Sequence, residues 1–354
     1  MKNKAEKILF LLLLIYSSCS SIYRFSIDIQ EPALVTLPVS AQNVLILNNT
    51  VTQPENFGIE RTFDGQSIGM NYPLSLDSMV WSAIAEIAAV FSESNFFNTI
   101  AIYREPLRTD TEWFSVAKLS PELQSEFYDV EDYDALFVVE RLLFSVNDSV
   151  KKMKSDFFNS DPVAFVNLRA DGIITCSMYV NGNEKPLTAF TISDSLFLKS
   201  AIVIDSTILF KEIPEYVLAE MSHQLGNQAA KRFIPTWKTS ERLLFNAYNP
   251  RMQEAAGFAA DRQWAKAESI WITELGKKTK PIDKAKIAFN LAIATEMQDK
   301  LELALEWAQK AKVHLKNANP NSNYLEIELS DKYILELERR IQSNRLLDMQ
   351  WGKE

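Results

Sequence analysis

Near residue 250 the sequence changes its period, and that change limits the fold more than any other feature. Before it, short apolar and β-branched runs alternate with amphipathic stretches. After it, apolar residues recur at intervals of three and four and the strand signal stops. Such a chain is expected to fold as an α+β domain, with a mixed sheet carrying helices mainly on one face, followed by an all-α domain. At about 100–200 residues per domain, 354 residues suit that division.

In the first region Val44-Leu45-Ile46-Leu47 reads as a buried strand. Residues 52–74, with three glycines and two prolines, read as a long loop or irregular hairpin. Ser75 or Asp77 can cap a helix to about Ser94, whose apolar positions Met79, Val80, Ala83, Ile84, Ile87, Ala88 and Phe91 share one face. Phe96–Tyr103 is a second strand, Ser120-Pro121 starts a short helix, and Asp134–Glu140 is a third strand. Turn signals at Ala170-Asp171-Gly172 and Asn181-Gly182 predict hairpins. Pro214 opens a helix striped by Val217, Met221, Leu225, Ala229 and Phe233, and Pro235 ends it. In element order this domain looks like the N-terminal domain of TolB and like CsgG-type lipoproteins. That likeness carries no function.

The first residues read as an address. Lys2, Lys4 and Lys7 precede the apolar run Ile8–Ile15, and Ser17-Ser18-Cys19 follows. These are the parts of a secretory signal, and the run is about half as long as a membrane-spanning helix. The segment resembles a bacterial lipobox, although Tyr16 stands where leucine is usual. The resemblance implies cleavage before Cys19 and acylation of that residue, and two or three acyl chains hold a protein stably on a membrane. Plain secretion and an uncleaved anchor are the alternatives. Ser20, in place of aspartate, favours the outer membrane by resemblance to the sorting rule, and the lack of a following acidic cluster favours its periplasmic face. Cleavage would remove three lysines and one glutamate, taking the formal charge from −9 to −11.

In the helical region Ala255, Phe258, Ala267 and Trp271 align with Ala292, Thr295, Ala304 and Ala308 at a spacing of 37. Each segment reads as a pair of short helices, with small residues where helices approach closely. The pattern resembles the tetratricopeptide repeat, whose usual period is 34. A further helix over roughly Tyr324–Leu346 would cap the stack. The expected segments are a signal peptide at 1–18, a tether at 19–42, the α/β domain at 43–249, and repeats with a capping helix at 250–354. The stretches Asn48-Asn49, Glu93-Ser94-Asn95-Phe96-Phe97, Arg141-Leu142-Leu143-Phe144, Arg232–Trp237 and Glu241-Arg242 resemble an uncharacterised family of Gram-negative envelope lipoproteins with C-terminal tetratricopeptide repeats. That resemblance brings no activity or catalytic residues.

Chemistry is sparsely signalled. The chain has 9 glycines, 2 histidines and 2 cysteines, and no phosphate loop, nucleophile elbow or paired-histidine zinc motif occurs. Cys176 lies in an apolar run and reads as a core residue, while His223 and His314 have no metal-ligand spacing. Asp129, Glu131, Asp132 and Asp134 lack the glycine and distal glutamate of a calcium loop, and a structural ion pair suffices for Glu140-Arg141. In the Arg232–Trp237 stretch, Pro235-Thr236-Trp237 reads as a helix break anchored by a buried indole. No cofactor or metal is expected. Residues 19–249 hold 17 basic against 29 acidic residues, and residues 250–354 hold 17 against 16, so nucleic acid is an unsuitable partner.

These observations favour a non-enzymatic lipoprotein whose repeats form a groove for another envelope protein or peptide, lined by Asn290, Ile293 and Thr295 with Trp264 and Trp307 as anchors. Two alternatives stand beside it. One is an envelope enzyme acting on glycan or peptidoglycan through an acidic cleft in the α/β domain. The other is a carrier of lipid or another small ligand.

Overall fold

The computed structural model describes residues 22–54, 57–63, 65–68, 76–129, 132–153, 163–203, 215–245, 249–278, 280–318 and 324–353. The expected signal peptide and Cys19 lie outside the described residues. In chain order the elements are β1 (Ile22–Glu31), β2 (Asn43–Asn48), β3 (Ile59–Phe63), β4 (Gln66–Ile68), α1 (Leu76–Ser94), β5 (Thr99–Ile102), α2 (Pro121–Asp129), β6 (Ala135–Met153), β7 (Val163–Val180), β8 (Thr188–Val203), α3 (Glu215–Ala230) and β9 (Thr236–Phe245). Five helices follow: α4 (Pro250–Ala260), α5 (Trp264–Lys277), α6 (Pro281–Glu296), α7 (Leu301–Ala318) and α8 (Tyr324–Gln350). Two compact units result. The α/β unit is Pro32–Thr236 with Met349–Glu354, and the helical unit is Met1–Glu31 with Trp237–Asp348.

In the α/β unit the 19-residue strand β6 is the spine of a mixed seven-stranded sheet. Its first half pairs parallel with β2 and its second half parallel with β3. Its other edge pairs antiparallel with β7 along the whole length, and β8 continues from β7. On the far side of β2, β5 pairs parallel and ends the sheet. Alternation along β2 and β6 sends Val44, Ile46, Phe137 and Val139 to one face, against α1 and α3, and Leu45, Leu47, Leu136 and Val138 to the other, against α2.

The expected turn at Ala170-Asp171-Gly172 does not form, because β7 runs straight through it. Gly172 serves the packing of α3 instead. A Cβ there would lie 2.7 Å from Leu225 Cδ1 and Met221 Cγ. Gly226 of α3 likewise has no room, since a Cβ would lie 2.5 Å from the Ala83 carbonyl oxygen on α1. Two glycines thus let one helix settle on a strand and on its neighbour.

In the helical unit β1 pairs with β9, so residues 22–31 are a strand and not part of a tether. Phe25, Ile27 and Ile29 alternate with exposed or polar residues, as in a half-buried strand. The boundary falls at Thr236/Trp237, ahead of the expected 249/250, because β9 belongs with the helices. Trp237 does not anchor by burial, since it is 69% exposed. The helices pair in succession, and Ala255, Ala267, Ala292, Ala304, Ala308 and Ala311 are fully or almost fully buried between them. Among the described residues no helix is long and apolar enough to cross a membrane.

Candidate functional site

The α/β unit gathers buried polar groups at the C-terminal end of β2. Asn48, Asn49 and Thr50 are each buried there, and Asn48 Oδ1 accepts from the Thr50 amide and hydroxyl. Beside them, on β6, lies Glu140. It occupies the bulge between Val139 and Arg141, where the β6–β7 register slips, and it is 1% exposed. Asn49 Nδ2 donates to Glu140 Oε2 at 2.7 Å and to the Ala117 carbonyl at 2.7 Å. Glu140 Oε1 is buried with no hydrogen-bond partner among the described residues.

Burial is the main influence on this carboxyl. It lifts the pKa from an ordinary glutamate value to about 7, against the opposing pull of the Asn49 hydrogen bond, of the nearby Ser177 hydroxyl and of the Arg108 charge. The sequence expectation of a Glu140–Arg141 ion pair is corrected. The bulge breaks the alternation here, and Arg141 is engaged elsewhere: its Nη1 donates to the Phe114 carbonyl while its guanidinium lies over the Phe114 ring.

Segment 103–120 lies over this strand end. The Leu107 amide donates to the Asn48 carbonyl, and the Leu119 amide donates to the Tyr179 hydroxyl. Arg108 forks onto Asp110 at 2.7 and 2.8 Å and also donates to the Glu112 and Ser115 carbonyls. On β7, Cys176 is fully buried. Burial, then the nearby Glu140, pushes its thiol well above the usual range, so it is packed and not primed as a nucleophile. Asp134 Oδ2 accepts from the backbone amides of Gln42 and Asn43 and from Asn43 Nδ2, which makes it a brace for the start of β2. Among the described residues no group of three or more His, Cys, Asp or Glu is placed to hold a metal.

The helical unit contains a second buried carboxylate. Glu296, at the end of α6, receives Arg242 Nε and Nη2 at 2.7 Å each, Tyr333 Oη at 2.7 Å, and Arg340 Nη1. Arg242 comes from β9, and Tyr333, Glu336 and Arg340 from one face of α8. Arg242 also bonds Glu336 and Ser240. Burial alone would lower the Arg242 pKa, but Glu296 outweighs it and the value is raised. Burial, then Glu296, raises the Tyr333 hydroxyl well above its usual range. Both Glu296 oxygens are satisfied, although Arg340 Nε is buried without a partner among the described residues, and the network ties β9 and α8 to the end of α6.

The expected groove residues are corrected. Asn290, Ile293 and Thr295 are all fully buried. They lie on α6, which is enclosed on nearly every side, and a helix surrounded by neighbours offers no groove wall. Asn290 instead acts as a strand neighbour, with Oδ1 accepting from the Phe245 amide at 2.8 Å and Nδ2 donating to the Phe245 carbonyl at 2.7 Å. Thr295 returns its hydroxyl to the Leu291 and Ala292 carbonyls. Trp264 is buried against Phe25, with ring centroids 5.4 Å apart. Trp307 is half-buried, with Lys310 Nζ 4.3 Å from its ring centre. Glu140 was missed as a lone buried carboxyl, although an acidic residue ending the run Ala135–Val139 was a usable signal.

Fold and site together define an α/β unit with a buried polar strand end and a separate helical unit. The chain belongs to the family described as a domain of unknown function (DUF8603), whose model matches residues 41–245, more than half its length. A second model, also described as a domain of unknown function (DUF6340), matches residues 253–339. No curated protein sequence matches the chain. Similar solved structures include one described as a neuraminyllactose-binding hemagglutinin homologue from Helicobacter pylori, with 9% identity, 53% of this chain and 81% of that chain covered, and a TM-score of 0.23. A Xanthomonas campestris protein of family DUF330 is similar at 10% identity, with 57% and 85% covered and a TM-score of 0.21. Scores this low fix neither fold nor activity.

Proposed function

We propose that this chain is a Gram-negative envelope lipoprotein, acylated at Cys19 and held on the periplasmic face of the outer membrane. Its helical unit is a pair of tetratricopeptide-like repeats that docks another envelope protein or peptide, and it performs no reaction itself. One observation carries the repeat reading. The turns α4–α5 and α6–α7 place Arg262 and Asp299, 37 residues apart, in the left-handed region, with φ of 58° and 61°. That matches the spacing of the buried alanines and supports two equivalent helix pairs. Since Asn290, Ile293 and Thr295 lie inside, docking falls to outer positions such as Ile272 and Val313, which are 48% and 56% exposed.

Two measurements test this. Palmitate labelling of the full chain should disappear in Cys19→Ala. Photo-crosslinkers at Ile272 and Val313 in intact envelopes should give one defined adduct that a crosslinker at exposed Phe197 of the α/β unit does not give. Unlabelled wild type, or identical adducts from all three positions, contradicts the reading.

A second reading rests on Glu140 alone. A carboxyl lifted to about 7 can act as a general acid on a glycan. Segment 103–120 would have to lift for substrate to reach Glu140, and the bond from Asn49 already gives that carboxyl a structural task. Loss of a peptidoglycan-cleaving activity in Glu140→Gln, with the fold intact, would favour the enzyme.

A further inference from the structure

Strand β5 ends the seven-stranded sheet, and among the described residues no strand pairs with its outer edge. The Thr99 and Tyr103 amides donate to the carbonyls of Gln42 and Ile46 on the β2 side. Parallel pairing alternates, so the N–H and C=O groups of Ile100 and Ile102 point outward, away from β2. The side chains of the same two residues face α1. Along this edge runs an open cleft of about 800 Å³, with Ile100, Ile102 and Arg104 on one side and Trp81, Ala85 and Ala89 of α1 on the other. Outward backbone groups beside an apolar floor make a template for an added strand.

We propose that the occupant of this edge is a second copy of the same chain, paired antiparallel to β5 about a two-fold axis through Ala101. The axis sets Ile100 opposite Ile102 of the second copy, with both side chains on the α1 face. Each pair then exchanges two main-chain hydrogen bonds. Across the axis α1 meets its own copy, and exposed Ala85 and Ala89 permit close approach of the two helices. The charges agree with this arrangement. Exposed Arg104 lies at one end of the edge and exposed Glu93, at the end of α1, lies near the other. The two-fold brings each toward its opposite, twice. A two-fold contact closes on itself and does not propagate into a fibre.

The register is testable with the full chain. Ala101 would face Ala101 of the second copy as a non-hydrogen-bonded pair, with Cα atoms about 4.5 Å apart, inside the range a disulfide spans. Thr99 would lie about 13 Å from its own copy. Under mild oxidation Ala101→Cys should therefore give a covalent dimer and Thr99→Cys should not. Wild type in parallel gives the background from the native thiols. Sedimentation of wild type should give twice the chain mass. Ala85→Glu, which sets like charges across the axis, should halve it with the circular dichroism unchanged. So should Ile100→Pro, whose lost N–H points outward where an edge strand tolerates proline. A monomer at all concentrations overturns the proposal. So does equal crosslinking by Thr99→Cys, a dimer that survives both disrupting variants, or a different polypeptide or small apolar ligand on the edge.

Discussion

Glu140 and Glu296 are both buried glutamates, one in a bulge of β6 and one at the end of α6, yet their surroundings are opposite. Glu296 receives two guanidiniums and a phenol. Glu140 receives one amide on Oε2 and leaves Oε1 bare. The difference shows how each unit handles polarity inside. The helical unit imports its partners from two elements distant in sequence, β9 and α8, and so uses the carboxylate as a clamp. The α/β unit buries its carboxyl in a strand bulge, where the acid form is favoured.

The sharpest break of the contrast is Glu296→Ala. It strands Arg242 and Arg340 in a buried site, and should destabilise the helical unit by about 3–5 kcal/mol in denaturant titrations. A loss below about 1 kcal/mol would mean that the clamp is not where that unit's stability resides. For Glu140 the folded pKa of about 7 lies above the ordinary 4.5. Its contribution is therefore fully present below about pH 4.5 and is lost as pH rises through about 7. Wild type should lose on the order of 3 kcal/mol across that window, and Glu140→Gln should flatten the slope and exceed wild type at pH 8. An unchanged slope would show that Glu140 is not the titrating group.

Glycines sharpen the comparison further. Gly226→Ala drives a Cβ against the Ala83 carbonyl and should destabilise the α/β unit by about 1–3 kcal/mol. Gly257 of α4 has nothing within 4 Å of a built Cβ, so Gly257→Ala should stabilise the helical unit by about 0.5–1 kcal/mol. Thermal melts of the two variants should move in opposite directions. The smallest effect is expected at Trp237, where Trp237→Ala should stay within about 0.5 kcal/mol of wild type because the ring is mostly in solvent.

The elements that could be read from sequence are those whose signal is local. The stripe from Met79 to Phe91 and the proline at 121 placed α1 and α2, and Val44–Leu47 placed β2. What failed depended on partners far along the chain. β9 has no alternating apolar pattern, because Lys238, Thr239, Ser240 and Glu241 fill its first half and Arg242 is buried by Glu296, 54 residues later. Gly172 looked like a turn because its need for space comes from α3, some 50 residues on. β1 did carry a signal, the alternation Phe25-Ser26-Ile27-Asp28-Ile29, but the prolines after it suggested a tether. For the site, Asn48-Asn49 was visible as a motif, whereas Glu140 becomes distinctive only once the bulge buries it.

The pairing of β1 with β9 has a temporal consequence. The α/β unit is inserted within the helical one, so β1 is made first and must wait through about 200 residues for its partner. At about 5–20 residues per second, that is about 10–40 s with an amphipathic edge uncovered. The α/β unit has a late part of its own. Gln350 bonds both backbone groups of Ala33, and Trp351 packs edge-on against Phe96 at 5.2 Å. Each unit thus opens with an early segment and closes with a late one. A nascent chain stalled within α8 holds two unfinished bodies, and whatever guards it during synthesis must shield both until then.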